Sequence, residues 1–254
     1  MEKTSLIGRV GLVTGAGAGI GEACAVLLAE KGASVVVSDV NLAAAQQIVE
    51  MITEQGGKAV AALCDVSKPE QVADLMKVAI NTFGQLDFAV NNAGVVGKQV
   101  PLEQYQHDDW ERIIAINLGG TFYCMQEEIK IFYAQGHGAI VNIASEASLK
   151  GSAADAVYTA SKHGVAGLTK TVALEAAKKG VRVNAVCPGS IETQLVKNFT
   201  AGSPELYEFG KNLMPIGRYG QPSEIAEAVA WLCSDAASLM SGHLMAVDGA
   251  WSAS

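Results

Sequence analysis

The sequence has little positive charge. It contains 18 Lys and Arg against 26 Asp and Glu, and its formal net charge is −8. Because a nucleic-acid surface needs clustered Lys and Arg, this balance argues against a nucleic-acid partner. No apolar run approaches the roughly 20 residues that span a bilayer, and residues 1–10 lack the apolar stretch of a signal peptide. We therefore expect no membrane association and a cytoplasmic location.

Cysteine and histidine are sparse and scattered. The positions are Cys24, Cys64, Cys124, Cys187, Cys233, His107, His137, His163 and His243. They form no C-x-x-C pair and no recognisable ligand spacing, so we expect neither disulfide bonds nor a metal site. Cysteines in such a pattern are typical of apolar filler in a reducing compartment.

Short β-branched runs alternate with longer helical patterns along the whole chain. The predicted strands cover 9–14, 34–39, 58–63, 86–91, 138–144, 181–186 and 243–248. The predicted helices cover 19–31, 41–55, 68–83, 108–134, 157–179 and 222–234. Because most of the strands are apolar throughout, the pattern predicts a doubly wound parallel α/β sheet with helices on both faces. We expect one domain over 1–254, with an irregular loop at 188–221 that covers a binding site.

The segment TGAGAGIG, residues 14–21, joins the first strand to the first helix. Its glycines do not fit G-x-G-x-x-G in any register. A glycine turn in this position lets the backbone pass close to a phosphate, and the helix N-terminus offers unpaired N–H groups. The alternative is a tight turn whose small residues serve packing alone.

Asp39 ends the second predicted strand, twenty residues after Gly19. An acidic side chain there can bond the ribose hydroxyls of an adenine dinucleotide, and it repels a 2′-phosphate. No Arg or Lys occurs in 14–29 or 35–49, which favours NAD over NADP. A solvated aspartate at the end of a strand is the alternative.

Tyr158 and Lys162 lie four residues apart on a predicted helix, so they share one face. A nearby ammonium would lower the pKa of the tyrosine by about 2 to 3 from its usual ~10 and make it an acid–base catalyst near neutral pH. Ser145 ends a buried strand at the sheet edge where ligands bind in open α/β folds. Tyr and Lys at this spacing also occur on ordinary amphipathic helices.

The pattern T-G-x-x-x-G-x-G resembles the cofactor turn of the short-chain dehydrogenase/reductase family. NNAG at 91–94, YTASK at 158–162 and PGSIET at 188–193 extend the resemblance over essentially the whole chain. It implies a single Rossmann-type domain with a seven-stranded sheet. By resemblance the catalytic residues are Asn117, Ser145, Tyr158 and Lys162. The implied cofactor-binding residues are Gly15, Gly19, Ile20, Gly21, Asp39, Asp65, Val66, Asn92, Ala93, Gly94, Tyr158, Lys162, Ile191 and Thr193.

The resemblance also implies a role for each catalytic residue. Ser145 donates a hydrogen bond to the substrate oxygen, and Tyr158 exchanges the proton. Lys162 lowers the tyrosine pKa and holds the nicotinamide ribose, while Asn117 anchors a water of the proton relay. The implied reaction is hydride transfer between a secondary alcohol and NAD, and the implied assembly is a homotetramer. Asn91 is expected to brace the sheet.

The substrate pocket is expected to be apolar, which favours an apolar or cyclic alcohol or ketone. The predicted lining is Val95, Val96, Ser145, Ala147, Gly189, Ser190, Leu195, Val196, Phe199, Leu206, Tyr207, Phe209, Leu213 and Met214. Lys197 and Lys211 remain candidates to orient an anion. Glu146 and Asp155 either face the substrate mouth or, as is more common for acidic residues in such loops, are solvated. Two alternatives stay open: an NADP-dependent 3-ketoacyl carrier-protein reductase, and a dinucleotide-binding sensor without turnover.

Overall fold

Seven parallel strands form one sheet in the order β3-β2-β1-β4-β5-β6-β7. The structure is a computed structural model that describes residues 3–194, 196, 203–212 and 214–253. The strands are β1 Val10–Thr14, β2 Ser34–Asp39, β3 Lys58–Leu63, β4 Phe88–Asn91, β5 Gly138–Ile143, β6 Val181–Pro188 and β7 Leu244–Val247. The strand order reverses between β1 and β4, so the chain winds outward in both directions from this point. The predicted doubly wound parallel sheet is confirmed.

Helices cover both faces of the sheet. They are α1 Gly19–Glu30, α2 Leu42–Glu54, α3 Pro69–Phe83, α4 His107–Ile113, α5 Thr121–Gln135, α6 Ala156–Ala176, α7 Pro204–Asn212 and α8 Pro222–Cys233. No described helix is long and apolar enough to cross a bilayer.

The strands are apolar throughout because each of their faces packs against helices. In β2, Val35 and Val37 belong to the core shared with α1, α2 and α8, while Val36 lies in the core shared with α3, α5 and α6. Successive side chains of a strand point to opposite faces, so an uninterrupted apolar strand fills both cores.

The helix predicted over 108–134 is interrupted. α4 ends at Ile113, a π-helical segment covers Ile114–Gly120, and α5 follows directly. Gly120 permits a close approach here, because a Cβ on it would lie 2.6 Å from Cγ2 of Val66. The apolar periodicity continues through the segment, so the sequence pattern did not reveal the change in helix type.

The stretch 188–221 is less irregular than predicted, since it contains α7. The Ser203 hydroxyl accepts a hydrogen bond from the Leu206 amide at 3.2 Å, and Pro204 opens the helix. Serine before proline and glutamate is a helix-start pattern that the sequence interpretation overlooked. Leu195, Lys197, Phe199 and Leu213 lie outside the described residues.

A buried polar network joins the sheet to α5. The Asn91 side chain donates to Glu128 at 3.1 Å and to Asn142 at 3.0 Å, and Asn142 in turn donates to Thr169. Glu128 is fully buried, and this burial raises the pKa of its carboxyl to about 8. Asn91 therefore braces the strands, as the sequence predicts.

Candidate active site

A cavity of about 740 Å³ opens at the carboxyl ends of the strands, where the strand order reverses. In open α/β sheets this switch point is where ligands bind. Of the sixteen predicted catalytic and cofactor residues, all except Gly21 and Asn117 line it. The cavity thus joins the glycine turn at one end to Ser145, Tyr158 and Lys162 at the other.

The glycine turn is shaped by close backbone contacts. Gly15 and Gly19 have positive φ angles of 60° and 62°. A Cβ on Gly15 would lie 2.8 Å from Cα of Ala93, and a Cβ on Gly19 would lie 3.3 Å from Cγ2 of Thr193. Side chains at these positions would fill the cleft between the turn and the loops opposite. The absence of side chains leaves room for a flat, extended ligand.

Gly21 acts one layer below the cavity. It is buried in the first turn of α1, and a Cβ on it would lie 2.2 Å from the Gly15 carbonyl oxygen and 2.5 Å from Nδ2 of Asn92. The residue therefore lets α1 pack directly under the turn. It positions the cofactor segment without lining the cavity.

The loop after β4 is tied to the glycine turn. Nδ2 of Asn92 donates to the Thr14 and Gly15 carbonyl oxygens, both at 2.9 Å. The Thr14 hydroxyl accepts from the Asn92 and Ala93 amides, both at 3.1 Å. Thr14 was not predicted as a site residue, although Asn92 and Ala93, to which it is hydrogen-bonded, were. These bonds fix the distance between the two walls.

Asp39 lies half-buried at the end of β2 and lines the cavity. Its Oδ2 accepts from the Gly17 amide at 2.9 Å, and its Oδ1 accepts from the Asn41 amide at 2.8 Å. These bonds hold the carboxylate beside the glycine turn. Lys162, at the other end, is the one Lys or Arg among the described lining residues.

Asp65 and Val66 follow β3 and line the same part of the cavity. Oδ1 of Asp65 accepts from the Ser67 amide at 3.0 Å and from the Ser67 hydroxyl at 2.7 Å. The carboxylate therefore caps the turn before α3. The side chain of Val66 packs against Gly120. By resemblance, this segment is expected to lie beside the adenine of the cofactor.

Ile191 and Thr193 follow β6 and line the cavity across from the glycine turn. Ile191 forms a parallel bridge with Gly220, which anchors the segment. A nicotinamide dinucleotide fits this architecture: Asp39, Asp65 and the glycine turn would hold its adenosine half, and Ile191, Thr193 and Lys162 its nicotinamide half.

Ser145, Tyr158 and Lys162 meet at the other end of the cavity. Ser145 follows β5, and Tyr158 and Lys162 lie on adjacent turns of α6. The side chain of Ser145 lies close enough to the Tyr158 oxygen to act toward a lower tyrosine pKa. Nζ of Lys162 donates to the Ile143 carbonyl oxygen at 2.8 Å and lies 5.7 Å from the Tyr158 ring centroid. The serine and the phenol can therefore contact one substrate oxygen.

The expected lowering of the Tyr158 pKa is wrong for the protein without a ligand. Burial raises the pKa of Tyr158 to about 12, and the negative charges of Asp155 and Glu146 add to the rise against the effect of Ser145. Burial also lowers the pKa of Lys162 to about 8. Attraction between an ammonium and a phenolate favours both charged forms, but loss of water on burial opposes them and outweighs the attraction here.

Asn117 lies behind the site and is fully buried in the π-helical segment. Its Oδ1 accepts from the Val95 amide at 2.8 Å, and its Nδ2 donates to the Val95 carbonyl oxygen at 2.9 Å and to the Ser161 hydroxyl at 3.1 Å. The side chain thereby holds the loop after β4 against α6. It positions that loop and does not line the cavity.

The substrate end combines apolar and polar walls. Among the predicted residues, Val95, Val96, Ser145, Gly189, Ser190, Val196, Leu206 and Phe209 line the cavity. Ala147, Tyr207 and Met214 do not: the Tyr207 hydroxyl donates to Glu192, and Met214 is buried, where its sulfur accepts from the Ser190 amide. Lys211 pairs with Glu208 at 3.0 Å, away from the lining.

Several residues of the wall come from distant parts of the chain and carry no motif. They are Gln99, Ser152, Tyr219 and Trp251. Glu146 and Asp155 also line the cavity, so of the two alternatives the position at the substrate mouth is the correct one. Glu146 is half-buried and Asp155 is buried, because the loop before α6 folds back onto the sheet edge.

Comparison with known proteins agrees with this geometry. A family profile described as "Enoyl-(Acyl carrier protein) reductase" matches residues 15–252. Cyclohexanol dehydrogenase from Acinetobacter sp. (strain SE19) is 48% identical over 243 residues, which cover 96% of this chain and 94% of that protein. The chain belongs to the short-chain dehydrogenase/reductase family.

Two further members are similar over nearly their full lengths. Cis-4-hydroxycyclohexanecarboxylate dehydrogenase from Sinomonas cyclohexanicum is 42% identical, with 96% of this chain and 97% of that protein covered. The crystal structure of levodione reductase has a TM-score of 0.93 at 36% identity and covers 98% of this chain and 99% of that one. This member of the family is therefore an oxidoreductase, and the family uses NAD or NADP.

Proposed function

We propose that this family member is an NAD-dependent dehydrogenase that oxidises cyclic secondary alcohols and reduces the corresponding ketones. The observation that carries the proposal is the cavity that connects Ser145 and Tyr158 to the glycine turn and Asp39. The apolar wall of Val95, Val96 and Leu206 suits a hydrocarbon ring. The names of two similar proteins, a cyclohexanol and a hydroxycyclohexanecarboxylate dehydrogenase, support the same substrate class.

In alcohol oxidation, the Ser145 hydroxyl donates a hydrogen bond to the substrate oxygen as charge develops on it. The Tyr158 oxygen takes the hydroxyl proton, and Lys162 would hold the ribose of the cofactor. When bound, NAD supplies the acceptor for the hydride that leaves the alcohol carbon. Asn117 fixes the Val95 loop so that the substrate carbon is held beside the serine and the phenol.

Asp39 underlies the proposed choice of NAD. Its carboxylate lies beside the glycine turn, and no Lys or Arg among the described lining residues lies at that end. A 2′-phosphate would face this negative charge without a compensating cation. An NADP-dependent 3-ketoacyl carrier-protein reductase is the second candidate, favoured by the description of the matching family profile.

The experiment is a spectrophotometric assay of the purified protein with cyclohexanol and either NAD or NADP. We expect turnover with NAD and a kcat/KM with NADP at least about tenfold lower. Asp39→Asn is expected to reduce the preference for NAD over NADP. Asp74→Asn makes the same change at an exposed aspartate outside the cavity lining and is expected to leave the preference unchanged. Turnover with NADP alone defeats the cofactor assignment. Reduction of 3-oxoacyl thioesters without activity on cyclohexanol supports the second candidate. Inactivity with every alcohol and ketone supports a dinucleotide-binding sensor without turnover.

We also propose that the enzyme works in the cytoplasm and assembles as a homotetramer. All five cysteines are buried and free, which suits a reducing compartment. Exposed apolar side chains on α5 and α6, Phe122 and Leu174, are available for contacts between subunits. Light scattering that shows only monomer at micromolar concentration would contradict the tetramer.

A further inference from the structure

Asp155 stands at the start of α6 but does not cap it. It is the N-cap residue of that helix, with φ −135° and ψ 41°, and its side chain makes no capping hydrogen bond. An aspartate at this position ordinarily accepts a bond from an amide of the first turn. Here the residue lines the cavity instead.

One oxygen of the Asp155 carboxylate is buried without a hydrogen-bond partner. The residue is 9% exposed, and its Oδ1 has no hydrogen-bond partner among the residues that the structure describes. The Tyr105 hydroxyl is also buried and unpaired, and the negative charge of Asp155 contributes to a raised Tyr105 pKa, behind burial as the first cause. A buried acceptor without a partner costs free energy, so a hydrogen-bond donor that reaches Asp155 from the cavity is expected to be favoured.

The surroundings determine which kind of group fits. Glu146 lines the same cavity, and Lys162 is the one cation among the described lining residues. A carboxylate or phosphate on the substrate would meet two acidic side chains. A neutral hydroxyl can donate to Asp155, and its apolar ring can contact the surrounding aliphatic wall.

Building on the proposed function, we infer that Asp155 selects cyclic alcohols that carry a second hydroxyl group, by accepting a hydrogen bond from it. Asp155 precedes Tyr158 by three residues at the start of α6, and both line the same cavity. The hydroxyl that reacts is held by Ser145 and Tyr158, and the second is held by Asp155. The preferred substrate class is therefore a cyclic diol or hydroxyketone.

The test compares trans-1,4-cyclohexanediol with trans-4-methylcyclohexanol, in which a methyl group replaces the second hydroxyl. We expect the wild-type kcat/KM for the diol, halved for its two equivalent hydroxyls, to exceed that of the methyl compound by about tenfold or more. Asp155→Leu keeps the branched shape and removes the acceptor, so the ratio is expected to fall by at least about tenfold. Asp74→Leu, on the distant helix α3, is expected to leave the ratio unchanged.

The ratio of the two kcat/KM values separates recognition of the second hydroxyl from a general effect on Tyr158, because a general effect would change kcat/KM for both substrates equally. A wild-type ratio near or below one overturns the inference, and so does an unchanged ratio in Asp155→Leu. If that variant fails to fold, the wild-type ratio and the use of trans-4-hydroxycyclohexanecarboxylate decide, because a preference for the acid contradicts the inference. Absence of turnover of both alcohols with NAD and NADP defeats the proposed function, and the inference with it.

Discussion

At the scale of single residues, the site depends on the balance between charge attraction and loss of water. Lys162 and Tyr158 lie on one face of α6, as their spacing predicts. Burial raises the pKa of Tyr158 and lowers the pKa of Lys162, so it favours the neutral form of each. Tyr158 holds its proton in the free protein. This state is ready to donate a proton to a ketone, whereas alcohol oxidation requires the phenolate.

The pH profile follows from these directions. Between pH 7 and 9 the phenolate fraction of a phenol with a pKa of about 12 rises with pH, so kcat/KM for cyclohexanol oxidation is expected to rise. Because Lys162 loses its charge near pH 8, the rise is expected to stay below the tenfold per pH unit of a single ionisation. Reduction of cyclohexanone needs the protonated phenol and serves as the control, with no such rise. An oxidation rate constant that is greatest below pH 7 would contradict this account.

At the scale of elements, the strands and the glycine turn could be predicted because their causes are local. Apolar β-branched runs identify the strands, and TGAGAGIG marks the turn. The π-helical segment around Asn117 and the burial of Asp155 depend on contacts with residues far away in sequence. Periodicity does not record such contacts, so Asn117 could be named by resemblance but its position behind the cavity could not be predicted.

The packing of α1 under the turn yields a test. Gly21→Ala places a Cβ 2.2 Å from the Gly15 oxygen, so the turn must shift. We expect NADH affinity, measured by fluorescence titration, to fall by about tenfold or more, and the midpoint of thermal unfolding to fall as well. Gly167→Ala is the matched control in α6, because a Cβ there meets nothing within 4 Å and alanine favours a helix. Unchanged NADH affinity in Gly21→Ala would show that this contact does not shape the turn.

At the scale of the whole molecule, the doubly wound topology assembles the site. Residues at the carboxyl ends of β1 to β6 reach one cavity at the point where the strand order reverses between β1 and β4. The sheet could be predicted as a class from alternating strands and helices. The substrate wall could be predicted only in part, since Gln99, Ser152, Tyr219 and Trp251 are brought to it by the tertiary fold.

The most direct measurement is cyclohexanol oxidation with NAD by the wild type and Tyr158→Phe, together with NADH affinity. The account predicts that Tyr158→Phe lowers kcat by about a hundredfold or more while the NADH dissociation constant stays within about threefold, because phenylalanine keeps the ring but cannot exchange a proton. Residual turnover above about a tenth of the wild-type rate would contradict acid–base catalysis by Tyr158.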